Sequence, residues 1–186
     1  MDERIYIVIF EVISMNKVLI LSDSHGLTNE ILKIKNRHQL KYVIHCGDSE
    51  LDIDDPVLQD VINVSGNCDF DARLPEMQTL QVGELTFLVT HGHLYSVGTN
   101  LLNLSYLASE KNADIVCFGH THIAGAKKIE NHLFVNPGSI RLPRDDKGKT
   151  YAIIEWNNLE NVFVKFYMLT GELIDDLTYR TSLKIQ

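Results

Sequence analysis

The sequence has no surplus of positive charge. Its 17 Lys and Arg stand against 25 Asp and Glu, a formal net charge of −8. No basic field exists to hold a nucleic-acid backbone, so the balance favours a small anionic substrate over a long polyanion. Cysteine is scarce as well. Cys46, Cys68 and Cys117 form an odd set with no C-x-x-C spacing, and reduced thiols in a cytoplasmic protein are the simplest reading. No apolar run approaches the roughly 20 residues a membrane span requires. Ile5–Phe10 is apolar but short, and it lacks both a positive leader and a small-residue cleavage site, which argues against a signal peptide. There is no G-x-S-x-G elbow for a serine nucleophile and no P-loop. Internal repeats, low-complexity tracts and linkers are absent too, so the 186 residues suit one domain. Residues 1–14 precede Met15-Asn16-Lys17, a natural start. They read as an extension from an upstream start or as an accessory edge strand, with 15–186 as the domain.

What is present is an alternation of buried strands and amphipathic helices. Val18–Leu21, Tyr42–Cys46, Val61–Val64, Leu85–Val89 and Ile115–Phe118 are short apolar runs of strand type. Thr28 or Asn29 is placed to cap a helix reaching about His38, with Ile31, Leu32 and Ile34 inward. A second helix spans about Asn100–Lys111, with a core stripe from Leu101 to Ala108. Beyond Ala124 the pattern is mainly β. This order predicts an α/β sandwich with two sheets.

Five polar islands follow the apolar runs: Asp23-Ser24-His25, Gly47-Asp48, Gly66-Asn67, His91-Gly92-His93 and Gly119-His120-Thr121-His122. Open α/β sheets bind ligands beyond the carboxyl ends of their strands, so the islands can converge although they span about a hundred residues. Residues i and i+2 of a strand share a face, which would aim Asp23 and His25 at one ion. The same holds for His120 and His122, unless the loop diverts them to different ions. Carboxylate, imidazole and amide donors form a hard-to-borderline set suited to Mn²⁺, Fe or Zn²⁺. The glycines at 47, 66 and 119 allow close backbone approach. His38 reads as a solvated helix end, His132 as a turn residue and His45 as a satisfied core histidine.

In this order the islands resemble the calcineurin-like metallophosphoesterase superfamily. Ser22–Gly26, Gly66-Asn67-Cys68-Asp69 and Asn136-Pro137-Gly138-Ser139 narrow the resemblance to its small bacterial and archaeal phosphodiesterase branch. The resemblance implies an α/β/β/α sandwich and a two-metal phosphodiesterase acting on small phosphodiesters through a metal-bridging hydroxide. Asp23, His25 and His122 would hold one ion, and Asn67, His91 and His120 the other. Asp48 would bridge them, with Asp48, Asn67 and His91 as the catalytic core. Mn²⁺ is the expected metal, with Ni²⁺, Fe, Zn²⁺ and Mg²⁺ as alternatives. Thr90 replaces a family glycine without touching the ligand itself. Cys68 stands where many members carry a proton-donating His, and a thiol is a poor acid at neutral pH. His93 is the alternative donor. Asn29, Cys68, His93 and Arg141 are candidate substrate contacts. Phosphomonoesterase or nuclease activity, and a non-catalytic assembly scaffold like the retromer subunit of this fold, are the competing functions. A homo-oligomer is left open.

Overall fold

A computed structural model describes residues 15–184; the expected extension over residues 1–14 lies outside the described residues. β1 (Asn16–Leu21) explains the first apolar run. Val18 and Ile20 enter one core while Leu19 and Leu21 enter another, and all four are fully buried. A strand covered on both faces must be apolar throughout, as interior parallel strands are.

β2 (Tyr42–His45) and β3 (Val61–Asn63) run parallel to β1. On the other side of β1 lie β9 (Thr150–Trp156), β10 (Val162–Met168) and β11 (Tyr179–Thr181), each antiparallel to its neighbour. The second sheet has the order β4 (Met77–Val82), β5 (Leu85–Thr90), β6 (Ile115–Cys117), β8 (His132–Asn136) and β7 (Gly125–Ile129). Its three inner strands β5, β6 and β8 are parallel, and its two edges are antiparallel.

The sheets pack face to face through Val18, Ile20, Phe87, Val89, Ile154 and Trp156, whose side chains share one buried cluster. α1 (Thr28–His38) covers the outer face of the first sheet with Ile31 and Ile34. α2 (Leu102–Glu110) covers the second with Leu104, Leu107 and Ala108. The result is the expected α/β/β/α sandwich. Among the described residues, no helix is long and apolar enough to cross a membrane.

Five local expectations fail. Leu32 is 48% exposed, because the apolar stripe of α1 passes through 31 and 34 and leaves 32 off its axis. Leu102 is exposed at the first turn of α2. Neither Thr28 nor Asn29 caps α1; Leu27 holds the cap position with no side-chain hydrogen bond. His38 is half-buried against the Tyr151 hydroxyl, 2.7 Å from Nε2, and burial followed by the Arg37 and Lys17 charges lowers its pKa. His132 begins β8 instead of lying in the turn.

Candidate metal centre

The loops beyond β1, β2, β3, β5, β6 and β8 meet at one place, and cross-loop contacts among all five islands prove the convergence. The backbone there is unusual. Asp23, His25, Asp48, His120 and His122 all have left-handed φ, between +43° and +67°. Non-glycine residues seldom adopt this conformation, and strained backbone of this kind concentrates at functional sites.

Asp23, His25, Asp48 and His122 form a first donor group. All four are buried, and one donor atom of each lies within 4.8 Å of the others. Asp23 Oδ2 accepts from Ser22 Oγ (2.6 Å) and the His120 amide (3.2 Å), which frees Oδ1 to face His122 Nε2 at 3.0 Å. His122 Nδ1 donates to the Leu142 carbonyl (2.6 Å), so Nε2 is the nitrogen left for the centre. Asp23 Oδ1 and His25 Nε2 are buried with no hydrogen-bond partner among the described residues. A cation would satisfy both orphaned atoms at once, so the donor set fits a divalent metal.

A second group adjoins it. His91 Nδ1 donates to the Cys46 carbonyl (2.8 Å), and its Nε2 lies 3.2 Å from Asn67 Oδ1 and 3.4 Å from Asp48 Oδ2. His120 Nδ1 is 2.9 Å from the same Asn67 oxygen. Asp48 therefore belongs to both groups. His120 and His122 diverge, one to each group.

The electrostatics follow from this crowding. The Asp23 carboxylate facing its Nε2 raises the pKa of His122 against the cost of burial. Burial opposes the charged form of His91, yet Asp48 and Asp23 outweigh it and raise its pKa. Burial and the His91 charge lower that of His120. Asp48 is held well below the usual carboxylate range: burial opposes this, but His91 and the Cys68 amide prevail.

The remaining predicted residues separate. His93 stands beside the second group, its ring 5.3 Å from that of His91, with a buried Nδ1 that has no partner among the described residues. Cys68 is half-buried, its amide donating to Asp48 Oδ1 (2.8 Å). Burial, then the Asp48 hydrogen bond and nearby carboxylates, push its thiol up to about 11. The Arg141 guanidinium donates to the His25 carbonyl, at the rim of the first group. Asn29 is exposed on α1 and lines a groove with Leu32 and Pro56, apart from the donors. Thr90 donates to the Glu76 carbonyl (3.1 Å) and leaves His91 in place.

The role of Asp69 escaped the sequence reading, which named it only within a motif. Asp69 accepts from the amides of Asp48, Glu50 and Gly66, each at 2.7 Å, and from Ser49 Oγ. Ser139 Oγ donates to the Asp23 carbonyl (2.8 Å), and Asn136 Nδ2 to that of Gly119 (2.9 Å). The Asn136–Ser139 loop thus ties the β1 and β6 loops together. Gly119 must be glycine, because a Cβ there would collide with Ser22 Oγ and approach Asp23 Oδ2 to 2.7 Å.

His45 lies beneath the site, fully buried, with Nε2 2.9 Å from Ser24 Oγ; its Nδ1 has no partner among the described residues, so the expected satisfied core histidine is only half met. Burial lowers its pKa from 6.5 to about 4. The unfolded chain then binds a proton between these values that the folded chain refuses, so His45 removes stability as pH falls through this window. The loss reaches about 3 kcal/mol by the lower end. Urea unfolding of metal-free protein at pH 6.5 and 4 should show a shallower acid decline for His45→Gln than for the native chain. Equal declines would place the acid sensitivity elsewhere.

Residues 16–159 match the calcineurin-like phosphoesterase superfamily domain. Over 168 residues, the chain is 46% identical to a probable metallophosphoesterase of Bacillus subtilis, YsnB, covering 89% of this chain and 99% of the relative. A crystal structure of a predicted phosphoesterase from Streptococcus pneumoniae superposes with a TM-score of 0.86 at 33% identity, over 91% of this chain and 98% of that one. An archaeal phosphodiesterase superposes at 0.57 with 26% identity, over 75% and 93%.

Proposed function

The chain belongs to the calcineurin-like phosphoesterase superfamily, and from that premise we propose that it is a cytoplasmic, divalent-metal-dependent phosphodiesterase of small phosphodiesters. The observation that carries this reading is the pair of donor groups sharing Asp48, with two buried orphan atoms in the first. In this reading Asp23, His25 and His122 hold one cation, Asn67, His91 and His120 hold the other, and Asp48 serves both. Two cations, when bound, would neutralise phosphate charge, polarise its P–O bonds and supply an activated water at neutral pH. The mixed donor set favours Mn²⁺ over a thiolate-selected metal.

The chain's own groups limit the substrate. Cys68 keeps its proton at neutral pH and is a weak acid toward a departing oxygen. His93 is the other candidate donor, but burial and then the His91 charge lower its pKa. Diesters with good leaving groups should therefore react fastest. The formal charge of −8 disfavours a nuclease.

The test is hydrolysis of bis-p-nitrophenyl phosphate by metal-stripped protein before and after adding Mn²⁺. Activity should rise at least about tenfold on addition, well within the charge stabilisation a metal can provide. Folded protein that stays silent with Mn²⁺, Ni²⁺, Zn²⁺, Fe²⁺ and Mg²⁺ would overturn the reading.

A further inference from the structure

Three of the converging loops repeat one backbone device. Left-handed residues occupy the first and third positions of Asp23-Ser24-His25, Asp48-Ser49-Glu50 and His120-Thr121-His122. In the β1 and β6 loops both positions carry donors. In the β2 loop the third position is Glu50, at φ +55°, which the proposed ligand set leaves unused.

Its carboxylate is nevertheless committed. Glu50 Oε1 lies 2.7 Å from His25 Nδ1, although the Glu50 side chain is 38% exposed. A half-exposed carboxylate held this way is placed by its backbone, and the Glu50 amide donates to Asp69 Oδ1 at 2.7 Å. The other two histidines oriented through Nδ1, His91 and His122, donate to neutral main-chain carbonyls. His25 alone among these three faces an ionised acceptor, which binds an N–H more strongly than a carbonyl does. A histidine oriented by a carboxylate carries its proton on the bonded nitrogen, presents the other to a metal, and is the more basic ligand for it.

We propose that Glu50 is the positioning residue of the first donor group: it locks His25 with the proton on Nδ1 and turns Nε2 toward Asp23 and His122. This rests on the two-metal reading above for its consequence, though not for the hydrogen bond itself. Without Glu50, the other member of its 4.8 Å cluster with His25 is Cys68, through Sγ. A thiol is a weak acceptor and would not hold the ring. Losing such a partner typically reduces metal affinity 10–100-fold.

The experiment pairs two readouts on the full chain. Nitrogen-15 NMR of metal-free protein reports the His25 tautomer, and calorimetric titration with Mn²⁺ reports binding. Glu50→Ala should lose the Nδ1–H tautomer and weaken one of two Mn²⁺ binding events 10–100-fold, leaving the other within about threefold. Glu50→Gln retains an acceptor oxygen but no charge, so it should keep the tautomer and show an intermediate affinity. An unchanged tautomer in Glu50→Ala, or two unchanged Mn²⁺ affinities, would overturn the proposal. Native protein that binds no Mn²⁺ would instead overturn the two-metal reading, and the tautomer would then decide the role of Glu50 alone.

Discussion

Asp48→Asn is expected to abolish metal-dependent phosphodiester hydrolysis while leaving the fold intact. The side chain keeps its shape, and Asn Oδ1 can still accept from the Cys68 amide, which now lies 2.8 Å from the carboxylate. What disappears is charge at the one position common to both donor groups. Asp48 Oδ2 is 3.4 Å from His91 Nε2 and Asp48 also sits within the Asp23, His25 and His122 cluster. Its depressed pKa means the carboxylate is ionised across the working pH range, so the substitution removes a full charge. Losing one preorganised charge-stabilising group costs about 10²–10³ in kcat. A shared ligand should cost at least that, because both cations depend on it. Bis-p-nitrophenyl phosphate turnover with Mn²⁺ measures the rate, metal analysis counts the ions retained, and thermal unfolding checks the fold. Near-native turnover with two ions bound would remove Asp48 from its bridging role.

The strands and their polar ends were legible because burial on both faces leaves an unmistakable apolar run. Val18–Leu21 and Ile115–Cys117 show this, each followed by donors at short spacing. His45 was legible for the same reason, as a polar residue inside such a run. The contacts of the supporting residues were not. Asp69 and Ser139 act through backbone amides and carbonyls of loops distant in sequence, and no residue pattern encodes that pairing. Glu50 leaves only a faint trace: Asp48-x-Glu50 has the spacing of Asp23-x-His25, which becomes informative once both loops are seen to share left-handed φ. The exposure of Leu32 and Leu102 shows the converse error, in which an apolar residue near a helix stripe was assigned to it.

That hidden support makes Asp69→Ala the substitution with the widest consequence outside the donor set. One carboxylate accepts from the Asp48, Glu50 and Gly66 amides and from Ser49 Oγ, joining the loop after β2 to the loop after β3. Asp48 and Glu50 both hold left-handed φ, a conformation that persists only where surrounding contacts impose it. Truncation leaves three amides without their charged acceptor. Hydrogen bonds to charged groups contribute about 1.5–3 kcal/mol each, but the loop is only partly buried and water can replace some of them. A net loss of about 3 kcal/mol is expected, read as a lower urea midpoint at unchanged slope. The site should suffer more broadly than in Glu50→Ala. Releasing the loop displaces Asp48, which serves both donor groups, so both Mn²⁺ binding events should weaken instead of one. Asp69→Asn keeps one acceptor oxygen and should fall between. Native-like urea midpoint and Mn²⁺ affinities in Asp69→Ala would mean that the left-handed turns at Asp48 and Glu50 are held by the strand ends themselves, and that the Asp69 contacts merely accompany them.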